Sequence, residues 1–572
     1  MHDLVISGGT LVDGTGAKPR RADVAVTDGL ITEVGTLEDT AARRTIDADG
    51  LLVTPGFVDV HTHFDGQITW DPQLTPSCWH GVTTVVMGNC GVGFAPARPD
   101  KHEWLIGLME GVEDIPGAAL SEGIKWGWES YPEYLDAIDQ VPKALDVGSQ
   151  VPHGAVRAYV MGDRGAHNEP ATPEDIEGMA RIVREAIEAG ALGVSTSRTI
   201  AHMAIDGEPV PGTFAAEDEL FGIGRALAEA GSGLFELAPA GALGEDLAAP
   251  DREMDWMRRL SAAIGRPVTF ALTQNDHDPE SWRRMLDLAG QARSEGANVR
   301  PQVAGRPVTL LLGLETFHPF AYCPGWAELG LLPLAERVGR LRANADLRAR
   351  LIAEASIPNP AMLQFLDPAT SYPLGDPPNY EPDPSDSVAG RAARAGRDVY
   401  EFYLDLLLEH DGRALIMRPL LNYTDSNLDA VREMLLHPTS AWGLGDGGAH
   451  CGTTCDASTP TYMLTHWARD RARDQLPLEW VVRKMTAETA SLYGLGDRGI
   501  VRPGLRADLN VIDHAGLRLH APEMVYDLPG DARRFVQRAD GYVATVVAGE
   551  VTLEHGEDTG ARPGQLIRGA RS

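Results

Sequence analysis

Short runs of Val, Ile and Leu alternate with polar residues and turns over residues 4–53, in LVISGG, TLVDGTG, ADVAVTDGLITEVG and RTIDADGLLVTPG. A period of two punctuated by Gly and Asp predicts hairpin strands. The same pattern returns over residues 507–555, in ADLNVID and YVATVVAGEVTLEHG. Two β-rich ends of like character predict one small β-sandwich domain, built from residues 1–54 and 505–560.

Between the ends the period lengthens to that of helices, each followed by a short apolar strand. The plainest unit starts at Thr172, an N-cap residue. Pro173 suits the first turn, Asp175 completes a capping box, and Ile176, Met179, Ile182, Val183 and Ile187 fall on one helical face. Gly190 is placed to stop the helix before the strand ALGVSTS. The step then repeats: EDELFGIGRALAEAG leads to GLFELAP, DREMDWMRRLSAAIG to PVTFALTQ, and DPESWRRMLDLAGQARSEG to ANVRPQVAG. Such a run predicts an α/β fold, a TIM-like (β/α)8 barrel over residues 55–504 flanked by the β-rich ends. No GxGxxG opens a helix, which argues against a doubly wound nucleotide domain. Residues 320–415, with PNPAMLQFLDP and LGDPPNYEPDPSD, read as a loop-rich insertion.

Composition narrows the partners. The 82 acidic and 50 basic residues leave a formal charge of −32, which repels nucleic acid and anionic membrane surfaces and leaves a small molecule as the expected partner. The N-terminus, MHDLVISGGTLVDG, lacks a basic region followed by an apolar one, and no stretch approaches the roughly 20 apolar residues of a membrane span. Cys78, Cys90, Cys323, Cys451 and Cys455 are odd in number and scattered, as in a cytoplasmic protein without a disulfide framework. A homo-oligomer is a general expectation for an enzyme of this size.

The strongest chemical signal is PGFVDVHTHFDG, residues 55–66, in which an apolar strand ends in His61 and His63. Two residues apart on a strand, both imidazoles face one side, where they can share zinc or another divalent metal. Cys90 follows the apolar stretch GVTTVVMGN and would emerge at the same barrel mouth, and Asp446 follows a late apolar stretch in WGLGDGGAHCG. Neither a GxSxG elbow nor a phosphate-binding loop accompanies them.

PGFVDVHTH resembles the opening metal motif of the amidohydrolase superfamily. MGNCGVGFAP, GLGDRGIVRPGLRADLNVID and the terminal RPGQLIRG resemble the N-acyl-D-amino-acid deacylase branch of it, over nearly the whole chain. The resemblance implies hydrolysis of a C–N amide bond by metal-activated water, with His61, His63, Cys90 and Asp446 as metal ligands and Asp446 as the base. It also implies two further histidines and a lysine on the middle strands. This chain has neither histidine there; Glu236 and Gln274 occupy those strands instead. Three arrangements follow: Glu236 is a ligand, the site is mononuclear around His61, His63 and Asp446, or the chemistry has diverged. The mononuclear arrangement is preferred, with one or two metal ions as the range.

Ser197, Arg198, Gln274, Arg306, His318 and His450 fall where barrel loops contact substrate. Arg306 is a candidate for a substrate carboxylate, a salt bridge being the alternative, and Asp456 and Tyr462 would sit at the rim. Trp70, Trp79, Phe94 and Trp467 suit either an apolar pocket or the core, and His202 and His466 read as structural or surface residues unless they lie near the metal. An N-acyl amino acid, of D configuration in the branch resembled, is the leading substrate class. Cyclic amide or imide ring opening and a catalytically silent barrel are the alternatives.

Overall fold

The computed structural model describes residues 1–37, 41–357 and 365–569. The chain opens with strands β1 (His2–Leu11), β2 (Arg20–Thr27), β3 (Leu30–Gly35), β4 (Ala42–Asp47) and β5 (Leu52–Pro55). β1 pairs antiparallel with β2 and parallel with β4 and β5. The predicted alternation is real: in β2, Ala22, Val24 and Val26 are buried in one apolar cluster with Leu4, Ile6 and Leu11 of β1.

The next strands are parallel. β6 (Phe57–Asp59), β7 (Val82–Met87) and β8 (Asp146–Ser149) form one set. Between β7 and β8 lies helix α1 (His102–Glu113). A second set comprises β9 (Val151–Pro152), β10 (Gly193–Ser197), β11 (Leu234–Ala238), β12 (Val268–Ala271) and β13 (Val299–Val303). Helices α2 (Pro173–Ala189), α3 (Glu217–Ala230), α4 (Ala249–Ile264) and α5 (Ser281–Ser294) alternate with those strands as predicted. In α2 the capping box between Thr172 and Asp175 forms in both directions, and Gly190 closes the helix at φ 120°. Met179, Val183 and Ile187 are buried, each worth about 1.5–3 kcal/mol of apolar burial.

After β13 the chain leaves the parallel set. β14 (Val308–Leu312), β15 (Tyr372–Pro373) and β16 (Ile416–Leu421) make a separate three-stranded sheet. Its own apolar cluster includes Leu312, Phe320, Trp326, Leu341, Leu351, Tyr403 and Leu407. The loop-rich reading of residues 320–415 is thereby corrected, because residues Leu334–Ala343, Ala345–Ala355, Val388–Ala395 and Val399–Leu407 are helical. These helices are short and amphipathic, so the flanking Pro and Gly masked them in the sequence pattern. The PNPAMLQ part of that segment lies outside the described residues. Helix α6 (Asp429–Leu436) then returns the chain to β17 (Ala441–Trp442), which pairs parallel with β13. A parallel bridge between Thr62 and Gly447 brings the residues beyond β17 beside those beyond β6.

The C-terminal strands β18 (Leu509–Ile512), β19 (Tyr542–Val547), β20 (Glu550–Glu554) and β21 (Glu557–Asp558) join the first sheet, with β18 antiparallel to β5. That sheet therefore has nine strands drawn from both ends of the chain. Among the described residues, no helix is long and apolar enough to cross a membrane.

Candidate metal centre

The parallel strands point their C-terminal ends at one place. Beyond β6, His61 and His63 are each 1% exposed, with ring centroids 5.5 Å apart. Cys90 follows β7, Glu236 stands in β11, Gln302 in β13, and Asp446 follows β17. Alternation along a strand puts His61 and His63 on one face with Thr62 turned away, and Thr62 Oγ1 donates to the Val86 carbonyl of β7.

His61 Nε2 lies 3.3 Å from Cys90 Sγ and 3.4 Å from Asp446 Oδ1, and His63 Nε2 lies 3.8 Å from the same oxygen. One ligand atom from each of His61, His63 and Cys90 falls within 4.8 Å of the others. A tetrahedral zinc ion with bonds of about 2.0–2.3 Å spaces its ligands about 3.3–3.8 Å apart, and the His61–Cys90, His61–Asp446 and His63–Asp446 separations fall in that range. The far nitrogen of His61, Nδ1, lies 3.0 Å from Gln302 Oε1, which accepts its proton and leaves Nε2 free to bind. Glu236 is at the centre too. Its Oε2 accepts the Cys90 backbone N–H at 3.0 Å, and its Oε1 is 3.9 Å from His61 Nδ1.

The backbone is held in an uncommon conformation at these positions. Cys90, Asp446 and His450 have φ of 55°, 45° and 54°, a region that non-glycine residues enter rarely and that clusters at functional sites. Each is tied down: Cys90 N–H donates to Glu236 Oε2 at 3.0 Å, Asp446 N–H to the His61 carbonyl at 2.9 Å, and His450 N–H to the Glu113 carbonyl. Gly91 lets the cysteine turn approach β10, since at φ 73° a Cβ there would sit 2.7 Å from the Ser197 nitrogen. Ser195 Oγ accepts the Gly91 N–H at 3.0 Å, which fixes the turn.

The electrostatics call for a cation. Asp59, Asp65, Glu113 and Glu236 are buried, and Asp446 is 17% exposed. The ion-pair partners of Glu113, Glu236 and Asp446 are imidazoles. Burial pushes the carboxyls of Asp59, Asp65 and Asp446 up to about 7 and that of Glu236 to about 8. Burial also depresses His61 to about 4 and holds His63 well below its ordinary value, so neither imidazole offsets the acids at neutral pH. His63 Nδ1, Glu113 Oε1 and Glu236 Oε1 are buried without a hydrogen-bond partner. A divalent ion answers the charge.

These shifts set a pH dependence for the metal-free protein. A carboxyl with a higher pKa folded than unfolded, near 4, keeps more protons in the folded state, so stability falls as pH rises through the folded value. The depressed histidines act oppositely, but only below about pH 6.5. Chelated protein is therefore expected to melt lower at pH 8 than at pH 6.5, by on the order of 1 kcal/mol per carboxyl, and added zinc is expected to flatten the difference. Calorimetry at the two pH values checks this, and a higher melting temperature at pH 8 would contradict it.

The remaining sequence candidates divide. His450, 32% exposed, faces Glu113 with Nε2 3.8 Å from Oε2. Ser197 Oγ lies 3.0 Å from His202 Nδ1. Arg198 donates to the Ala215 carbonyl at 2.7 Å and lies 3.4 Å from Glu253, and Gln274 Nε2 donates to Asp425 at 3.0 Å. Arg306, 2% exposed, donates to Asp456 at 2.8 Å, to Ser458 Oγ at 3.0 Å and to the Cys455 carbonyl. The salt-bridge alternative therefore describes Arg306, whose donors face protein. His318 packs 4.3 Å from Trp326 in the insertion's own core. His466 pairs with Glu381 at 2.8 Å and stacks on Tyr462, in keeping with a structural role. Trp79, Phe94 and Trp467 are core.

Three residues at the centre escaped the sequence reading. Burial first, and then His450 and His61, hold the pKa of His202 down to about 4, an influence that the structural or surface reading of this residue left out. Its one available signal was its place in the loop just beyond β10, at the same mouth as Cys90. Glu113, at the end of α1, and Gln302, in β13, carried no motif.

The model of the amidohydrolase family matches residues 44–553. D-aminoacylase of Alcaligenes xylosoxydans xylosoxydans is 29% identical over 99% of this chain and 97% of its own length. N-acyl-D-aspartate deacylase of the same organism is 27% identical over 99% of this chain and 95% of its own. A solved structure of D-aminoacylase, a protein with a binuclear metal centre, covers 100% of both chains at 25% identity with a TM-score of 0.66.

Proposed function

The chain belongs to the amidohydrolase family, and from that premise we propose that it is a zinc-type metal-dependent hydrolase that cleaves the C–N amide bond of N-acyl-D-amino acids. The observation that carries the reading is the convergence of His61, His63 and Cys90 within 4.8 Å of one another on the ends of parallel strands, with Asp446 Oδ1 at 3.4 Å and 3.8 Å from the two histidines. The relatives named for D-aminoacylase and N-acyl-D-aspartate deacylase activity run the length of this chain, which favours linear substrates over cyclic amides.

We read β6, β7, β8 with β9, β10, β11, β12, β13 and β17 as one closed (β/α)8 barrel. The support is that each pairs in parallel with the next and that the Thr62–Gly447 bridge sets the last beside the first. Residues 1–54 and 505–560 form the β domain, and the segment from β14 to β16 is an insertion. The five unpaired thiols suit a reducing, cytoplasmic compartment.

His61, His63 and Cys90, with Asp446 beside them, would hold a zinc ion, which when bound would supply Lewis acidity and lower the pKa of water toward neutrality. Asp446, reachable from the mouth, takes the proton of the attacking water and returns it to the leaving nitrogen, giving a carboxylate and a free amine. Gln302 fixes the tautomer of His61, and Glu236 holds the turn that carries Cys90. His202 and His450 line the approach, where they contact substrate.

Substrate charge supplies the test. Four buried carboxyls and the partly open carboxyl of Asp446 surround the centre, and Arg198 and Arg306 are tied to protein groups. An acidic side chain on the substrate would add like charge without a cationic partner there. The kcat/KM for N-acetyl-D-leucine or N-acetyl-D-methionine is expected to exceed that for N-acetyl-D-glutamate by at least about tenfold, a difference of roughly 1.4 kcal/mol. Assaying both with their L enantiomers, on protein whose zinc has been counted, checks the reading. Protein that binds zinc yet hydrolyses none of them would overturn it.

A further inference from the structure

The two histidines of the centre are oriented by different groups. Behind His61 stands a neutral amide, Gln302, but behind His63 stands a carboxylate from outside the strands. Glu113 is the last residue of α1, a helix anchored by buried Leu105, Ile106, Leu108, Met109 and Val112. It is 2% exposed, and its Oε1 lies 3.4 Å from His63 Nδ1 while its Oε2 lies 3.8 Å from His450 Nε2. Oε1 and His63 Nδ1 are both buried with no hydrogen-bond partner from elsewhere in the protein, so each is the nearest group left for the other. The opposite nitrogen of the same ring, Nε2, faces Asp446 and the candidate ligands.

The end of α1 is also fastened to the loop after β17. The Glu113 carbonyl accepts the His450 N–H, and the Asp114 carbonyl accepts the Cys451 N–H at 3.2 Å. Asp114 Oδ2 accepts the Gly452 N–H and the Thr453 hydroxyl, each at 3.0 Å. One turn of backbone thus locks the Glu113 carboxylate between the strand-end histidine and the loop that carries Asp446.

We propose that Glu113 is the positioning residue for His63: it accepts the Nδ1 proton, fixes the tautomer that presents Nε2 to the ion, and lends the ring negative charge that strengthens it as a ligand. The inference rests on the metal reading above. A carboxylate behind a ligating histidine raises ligand basicity, and losing such a partner weakens metal binding about 10–100-fold. A buried acid kept only to support the fold would behave otherwise. Replacing an uncompensated buried carboxylate by its neutral isostere relieves a desolvation penalty, so the metal-free protein gains or keeps stability while the holo site weakens.

The experiment measures zinc affinity by chelator competition, and melting of the metal-free form, for wild type, Glu113→Gln and Glu113→Asp. The expected result is a 10–100-fold loss of zinc affinity in Glu113→Gln with no fall in metal-free melting temperature, and a smaller loss in Glu113→Asp, which keeps the charge but withdraws it by one methylene. Zinc affinity within twofold of wild type in both variants overturns the proposal. So does an affinity loss matched by an equal loss of metal-free stability, the mark of a structural role. Wild type that binds no zinc removes the metal reading beneath it, and that result is distinct from either. If Glu113→Gln does not fold, the Asp variant alone decides between the first two outcomes.

Discussion

Asp446→Asn is expected to lower the turnover of N-acyl-D-amino acids by about 10²–10⁴-fold while the protein still binds zinc. The substitution keeps shape and one oxygen, so a ligand contact through Oδ1 survives, but the amide cannot take a proton from water. The structure separates the two duties. Asp446 Oδ1 lies 3.4 Å and 3.8 Å from the two histidine nitrogens, and its side chain is 17% exposed, the ligand candidate that opens to the mouth. Its backbone N–H is fixed on the His61 carbonyl, so the φ of 45° persists whatever the side chain. Single-turnover kinetics beside zinc analysis read both properties. Near-normal turnover with a full complement of zinc would take the proton-transfer role from Asp446 and pass it to another carboxyl at the mouth. Zinc loss in parallel with activity would make Asp446 chiefly a ligand.

The parts of this centre that were legible in the sequence are those written in consecutive residues. His61 and His63 advertise themselves because a strand puts every second residue on one face, and Cys90 and Asp446 because each closes an apolar run. Helix α2 was legible down to its capping box for the same reason, that Thr172, Pro173 and Asp175 act within one turn. Glu113, Gln302 and His202 were not, since each is a single polar residue whose meaning depends on a neighbour far along the chain: Gln302 lies 241 positions from the histidine it orients. Arg306 misled for the converse reason. At a strand end it resembles a substrate anchor, but its partner Asp456 lies 150 residues on, and only folding brings them to 2.8 Å. The insertion hid its helices because short elements between prolines lack the length over which a period can be counted.

His61→Ala is expected to abolish stable zinc binding and, with it, activity. His61 is the hub of the candidate ligands. Its Nε2 reaches Cys90 Sγ at 3.3 Å and Asp446 Oδ1 at 3.4 Å, and its Nδ1 is held at 3.0 Å by Gln302. The side chain is enclosed, so water has poor access to replace the lost nitrogen. Four-ligand zinc sites bind with about 10–16 kcal/mol, which apportions roughly 3 kcal/mol, or about 10²-fold in affinity, to each ligand. The loss here is expected to be larger, because the remaining donors stay buried beside carboxyls that protonate once the ion leaves, and reloading must strip those protons again. His466→Asn is the control: that ring pairs with Glu381 and stacks on Tyr462 away from the centre, so its removal should leave zinc content untouched. Zinc retained at wild-type stoichiometry in His61→Ala would move the ion off β6, leaving Glu113, His202 and His450 as the donors to be tested next.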